Sequence, residues 1–78
     1  MSVQAYILIR TDQAKAAQVA ASIAEMPGVT LSDDVTGPYD VIVRAEAVDV
    51  DALGRDVVAP IQELDGIDRT LTCPVVHL

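Results

Sequence analysis

The run Val35-Thr36-Gly37-Pro38-Tyr39-Asp40-Val41-Ile42-Val43-Arg44 constrains this chain more than any other stretch. Two β-type runs, residues 29–35 and 41–45, flank a connector of turn formers. Gly37 can take a positive φ, Pro38 fixes its own φ, and Asp40 can accept from nearby backbone N–H groups. The pattern predicts a hairpin with Tyr39 and Asp40 at its exit, a phenol and a carboxylate on a rigid corner.

Around that hairpin the chain reads as two helix-plus-strand units. Residues 3–10 alternate Val3, Ala5, Ile7 and Ile9 against Gln4, Tyr6, Leu8 and Arg10, the period of a strand covered at least in part on both faces. Thr11 or Asp12 is the expected cap of a helix running to about Met26, with Ala16, Val19, Ala20 and Ile23 on one stripe and Pro27-Gly28 as its end. Residues 29–36 form the second strand, with Val29, Leu31 and Val35 on one face, and Asp33 marks it as an edge strand. Residues 41–47 form the third, Val41, Val43 and Ala45 facing opposite to Ile42, Arg44 and Glu46.

Asp49 is the expected N-cap of a second helix, with Val48 stapling onto Leu53 and an inward stripe of Leu53, Val57, Ile61 and Leu64. Pro60 predicts a kink or break near residues 58–59. Residues 68–76 make the last strand, with Arg69, Leu71, Cys73 and Val75 on one face and Thr70, Thr72, Pro74 and Val76 on the other. The order β-α-β-β-α-β predicts a single-domain α+β, ferredoxin-like fold, an antiparallel sheet with two helices on one face. The uncovered face, expected to carry Tyr6, Leu8, Ile42, Thr70 and Thr72, is too apolar for solvent. A second copy packed sheet to sheet, in the manner of a dimeric α/β barrel, is the expected cover, with Tyr6, Leu8, Ile42 and Arg44 at the dimer interface.

The 78 residues include no Phe and no Trp, so the core is aliphatic and gains only about 1.5–3 kcal/mol for each fully buried Val, Ile or Leu. That argues independently for an oligomer. A net charge of −7 with five scattered basic residues (Arg10, Lys15, Arg44, Arg55, Arg69) argues against direct nucleic-acid or anionic-membrane binding. One cysteine, no membrane-length apolar run and no signal-peptide layout suggest the cytoplasm.

Catalytic signatures such as Gly-x-Ser-x-Gly, a phosphate-cradling glycine loop or Cys-x-x-Cys are absent. Cys73 and His77 lie roughly 13 Å apart on a strand, too far to act as a pair. A small buried filler and a frayed terminal residue are the expected readings. Asp33, Asp34, Asp40 and Glu46 read as a solvated hairpin end rather than a metal site. Tyr39 is either a stacking surface for a ligand or a half-buried hairpin aromatic. Asp40 either stabilises its turn or binds a cation such as an amino group. Thr70 and Thr72 read first as ordinary sheet composition. No cofactor or metal is expected.

Five ordered segments then carry a resemblance over nearly the whole chain: Val3-Gln-Ala-Tyr-Ile-Leu-Ile, Met26-Pro27-Gly28-Val29, Val35-Thr36-Gly37-Pro38-Tyr39-Asp40-Val41, Leu64-Asp65-Gly66-Ile67 and Arg69-Thr70-Leu71-Thr72. The chain resembles the effector-binding (RAM) domain of the Lrp/AsnC family of amino-acid-responsive regulators. The resemblance implies dimers through the sheets, further assembly as far as an octamer of four dimers, and a free amino acid bound between dimers near the Gly-x-x-Asp corner. Carried onto this sequence it nominates Gly37, Tyr39 and Asp40, with Thr70 and Thr72 as further ligand contacts. It also implies a stand-alone module without a helix-turn-helix, able to pair with a DNA-binding relative. Pro74 departs from the family's usual ladder-forming residue.

The expected function is therefore a non-enzymatic, amino-acid-sensing oligomer in transcriptional or metabolic regulation. Two alternatives stand beside it. One is a small dimeric α/β-barrel enzyme of monooxygenase or isomerase type, with Tyr6 in a pocket between sheet and helices. The other is a ligand-free assembly module.

Overall fold

The computed structural model describes residues 2–76. Its elements are β1 (Val3–Thr11), α1 (Ala16–Ala24), β2 (Val29–Asp34), β3 (Val41–Ala47), a second helix over residues 50–62, and β4 (Ile67–Pro74). One antiparallel sheet has the order β2-β3-β1-β4, so β2 is an edge strand, as its aspartates suggest, and β4 is the other edge. The expected βαββαβ ferredoxin-like fold is the fold observed.

The strict alternation of β1 and β3 decides where the core lies. Ala5, Ile7, Ile9, Val41, Val43 and Ala45 are fully buried, and Val19, Ile23, Leu53, Val57 and Ile61 from the helices meet them in one cluster. Both helices thus cover a single face of the sheet. No polar or charged residue among those described is buried in this layer.

Several local expectations are corrected. Thr11 belongs to β1 and does not cap α1, which begins only at Ala16 after Ala14 takes φ 64°. The intervening loop is tied back by Asp12 N–H donating to the Gly66 carbonyl at 2.8 Å. In β2 the register shifts between Val29, opposite Ala45, and Leu31, opposite Arg44. This bulge spends one residue without advancing the partner, so Val29 faces the helices while Leu31 faces the open side. The grouping of Val29 with Leu31 on one face therefore fails, and Ser32 turns inward, its Oγ donating to the Ala20 carbonyl at 2.8 Å.

Asp49 does cap the second helix, accepting from Ala52 N–H at 2.7 Å. Val48, however, is left 70% exposed rather than buried as a staple against Leu53. The kink or break expected near residues 58–59 takes the form of a widened turn rather than an interruption. The helix runs through Val50–Leu53, a wide π-helical turn at Gly54–Val58, and Ala59–Gln62, with Ala59 N–H donating to the Gly54 carbonyl. The wider turn makes room for a proline ring that would clash with the preceding carbonyls of a regular α-helix. Pro74 remains in β4 opposite Ala5. Because Val75 N–H points to Gln4 on β1, the proline nitrogen points outward from the sheet edge, where no donor is needed.

Gly28, at the entry to β2, has φ +87°, and a Cβ there would lie 3.0 Å from Val57 Cγ2 and 3.1 Å from the Glu46 carbonyl. Gly28→Ala is expected to lower stability by roughly 2–5 kcal/mol, combining left-handed backbone strain with overpacking. A downward shift of the urea midpoint at constant slope is the check.

Candidate functional site

The Gly37–Asp40 corner forms at the end of the sheet where β1 finishes. Asp40 holds three strands together there. Its backbone N–H donates to the Ile9 carbonyl at 2.8 Å, its carbonyl accepts from Val35 N–H at 2.8 Å, and its Oδ2 accepts from Thr11 N–H at 2.8 Å. Continuing the Ile9–Val41 register, the ladder would offer that Thr11 donor to the Tyr39 carbonyl; the carboxylate takes it instead. Asp40 Oδ1 has no hydrogen-bond partner among the described residues, and because no buried side-chain polar atom there goes unpartnered, this oxygen reaches solvent.

Gly37 has φ +150° and nothing within 4 Å of where a Cβ would be, so the corner is open beside Asp40. Tyr39 is half-buried next to it. Gly37, Tyr39 and Asp40 are therefore together at one rim of the sheet, as the hairpin reading expected.

Thr70 and Thr72 are not where that reading put them. They lie opposite Ile9 and Ile7, which face the helices, so both threonines are on the helix side. Gln62 from the end of the second helix donates to Thr70 Oγ1 at 2.9 Å. The residues of β4 on the open face are Arg69, Leu71 and Cys73, opposite Arg10, Leu8 and Tyr6. Cys73 is correspondingly half-buried beside Tyr6 rather than a core filler. His77 lies outside the described residues.

Tyr6, Leu8, Ile42 and Arg44 do share the open face. Arg44 Nη1 donates to Tyr6 Oη, its Nη2 donates to Gln4 Oε1 at 2.6 Å, and its guanidinium lies over the Tyr6 ring at 4.9 Å from the centroid. These bonds hold two polar side chains flat against the sheet. Around them the surface is greasier than the sequence reading supposed, because Leu31 and Leu71 join it at 45% and 46% exposure, with Tyr6 at 40%. The signal that would have placed them was present only as cross-strand register, which composition does not carry.

Of the four carboxylates weighed as a metal set, Asp33, Asp34 and Asp40 stay at the hairpin end and Glu46 stands apart. Glu46 lies opposite Gln4 and accepts from Ser2 Oγ, while Asp34 lies opposite Val41 at the other end of β3. Among the described residues no group of three His, Cys, Asp or Glu could hold a metal ion. Tyr6, on the open face, cannot line a pocket between sheet and helices, which removes the geometry the enzyme alternative required. A shallow, mostly apolar cleft of about 180 Å³, lined by Pro27, Gly28, Ala47 and Val48 among others, lies at the end of the sheet opposite the Asp40 corner. Among the described residues no helix is long and apolar enough to cross a membrane.

Comparisons with known proteins agree with this fold. An HTH-type transcriptional regulator of Pyrococcus abyssi is 34% identical over 71 residues, 87% of this chain and 47% of the relative. The chain spans about half the length of the curated relatives it matches. Among solved structures, TTHA0845 from Thermus thermophilus superposes with a TM-score of 0.89 at 33% identity, covering 97% of this chain and 95% of that one. The transcriptional regulator NMB0573 of Neisseria meningitidis, solved as a complex with L-Met, gives a TM-score of 0.82 at 25% identity, covering 96% of this chain and 50% of that one. The pattern of the Lrp/AsnC ligand binding domain matches residues 4–77. Matched almost from end to end, this chain belongs to the Lrp/AsnC ligand binding domain family of transcriptional regulators.

Proposed function

We propose that this protein is an amino-acid-responsive oligomeric module of transcriptional or metabolic regulation in the cytoplasm. Copies pair through the open sheet face, and a free amino acid binds at the Gly37–Asp40 corner. With a net charge of −7 and scattered basic residues, this domain acts through a DNA-binding relative rather than by holding DNA on its own surface. It catalyses no reaction.

The observation that carries the reading is the half-used Asp40 carboxylate. One oxygen is anchored on Thr11 N–H, which fixes the group's direction, and the other faces solvent beside an unfilled glycine corner. An α-ammonium group is the natural partner for such an oriented charge. The complex of NMB0573 with L-Met lends the amino-acid class its support.

A ligand-free assembly module remains the second reading, favoured by the same Asp40–Thr11 bond, which gives the carboxylate a purely structural use. Asp40→Asn separates the two. The amide oxygen still accepts from Thr11 N–H, so fold and oligomer persist, but the charge that attracts an ammonium group is gone. Thermal unfolding is screened against the twenty standard amino acids. A ligand at 100 times its dissociation constant adds about 2.7 kcal/mol, raising the midpoint by roughly 10 °C or more in a domain of this size. The shift is expected in the parent protein and lost in D40N. A flat response of the parent to every amino acid at millimolar concentration rejects sensing.

A further inference from the structure

Val48 and Val50 stand 70% and 60% exposed just after β3, at the end of the sheet away from the Asp40 corner. Tyr6, Leu31 and Leu71 are also exposed in the single chain, but they lie on the face that a second copy covers. Val48 lies elsewhere, at the rim of the 180 Å³ cleft. The hollow exists because small residues meet there: Gly28 has no side chain, and Ala47 and Ala52 have one carbon each. Ala52 and Val57 belong to the second helix and Ala47 packs with the core, so pairing of the open sheet faces does not close this cleft. Its volume is close to that of the roughly 150 Å³ apolar cavity that admits a benzene molecule, which suits one aliphatic side chain.

The surroundings are acidic. Glu46 and Asp56 complete the lining, and Asp49 and Asp51 alternate with the two valines. Arg55 is the one basic residue in the segment from 46 to 56, and it is spent on Asp56, whose Oδ1 accepts from its Nε at 2.9 Å. Four carboxylates against one guanidinium leave an excess of negative charge around an apolar hollow. A second copy brought end to end would set like charges against each other, which disfavours that occupant. A single small amine would answer only one of carboxylates spread over eleven residues of chain. A peptide segment with an aliphatic side chain between lysines or arginines matches both the hollow and its rim.

We propose that the cleft beside Val48 docks a basic segment of a protein partner, one aliphatic side chain in the hollow and cations against the acidic rim. A partner that holds DNA carries such basic segments, because phosphate binding requires them. The docking itself does not depend on amino-acid binding at the Asp40 corner.

The probe is an acetylated, amidated pentapeptide of alternating lysine and leucine, titrated while backbone amide signals are followed by NMR. Saturable shifts are expected at Gly28, Ala47, Val48 and Val57, weakening as salt is raised. Replacing the leucines of the peptide by serine should weaken binding about tenfold or more, the scale of one buried aliphatic side chain. Isopentylamine, with one aliphatic group and one charge, should bind at least about tenfold more weakly than the peptide. Val48→Lys, at an exposed position that leaves the core intact, should weaken the peptide about tenfold through lost contact and added repulsion. Asp56→Asn should weaken it about threefold, the scale of an exposed charge pair, and Asp33→Asn at the far end of the sheet should leave it unchanged.

Equal weakening by D56N and D33N would mean diffuse charge attraction and overturns the site. Shifts confined to other residues, or equal binding of the serine peptide or of isopentylamine, also overturn it. Light scattering of V48K should give the mass of the parent; a smaller mass would make the cleft a seam between copies and reject the peptide. Peptide binding without any amino-acid response upholds the docking site and rejects sensing, so the two failures are told apart.

Discussion

Replacing Leu8 and Ile42 together by aspartate is expected to convert the protein from an oligomer to a monomer without unfolding it. The two residues are directly opposite each other at the centre of the open face, half-buried within one chain and bordered by exposed Leu31, Leu71 and Tyr6. In an assembled sheet-to-sheet interface each new carboxylate would be desolvated without a partner, at a cost of several kcal/mol per ion. The two charges would also repel across the strand pair, and again across the seam between copies. Neither side chain touches the helix-side layer, so far-UV circular dichroism should be unchanged. Light scattering reads the mass directly. Retention of the oligomer by L8D/I42D would mean that copies associate through some other surface. Loss of the amino-acid response together with the oligomer would show that the corner is completed by a neighbouring chain.

One residue away on the same strand, Ile7→Ala is expected to have the opposite character, destabilising the fold and leaving any surviving protein able to assemble. Ile7 is fully buried between the sheet and both helices, in a core that contains no aromatic side chain to collapse into the gap. Truncating a buried isoleucine to alanine costs about 2–5 kcal/mol through lost transfer energy and the cavity left behind. Domains of this length have a total stability of roughly 4–12 kcal/mol, so the loss is a large fraction of it. The melting midpoint should fall on the order of 10–30 °C. A shift of only a few degrees would indicate that oligomerisation, rather than this layer, supplies most of the stability. Comparing the two results therefore measures how stability is divided between the interior and the seam.

Much of the layer was legible because β1 and β3 repeat with a period of two over their full length. Val3 through Ile9 and Val41 through Ala45 sort without ambiguity, and their inward residues are fully or largely buried. The turn chemistry of Gly37 to Asp40 placed the corner correctly, since Gly37 does take a positive φ and Asp40 does bond to backbone N–H. The helix-cap role of Asp49 was equally local and equally readable. Failures cluster where one element depends on another. The bulge in β2 inverted Leu31, and the register of β4 turned Thr70 and Thr72 toward the helices while turning Leu71 outward. Hydrophobicity alone favours the reverse, because leucine in and threonine out is the usual arrangement. Here β4 is an edge strand, and Thr70 is reached by Gln62 rather than left in an apolar layer.

By itself the sequence determined the order of elements, the single covered face of the central strands and the chemistry of the corner, because each follows from periodicity or from residues close together in the chain. Tertiary structure alone decided which residues meet across strands. It placed Leu31 and Leu71 beside Tyr6, set Asp40 on Thr11, and brought Arg10 against Arg69. A pairing register is a relation between distant segments, and a one-residue slip exchanges the two faces of a strand. Nothing within either segment records which of the two registers the folded sheet adopts.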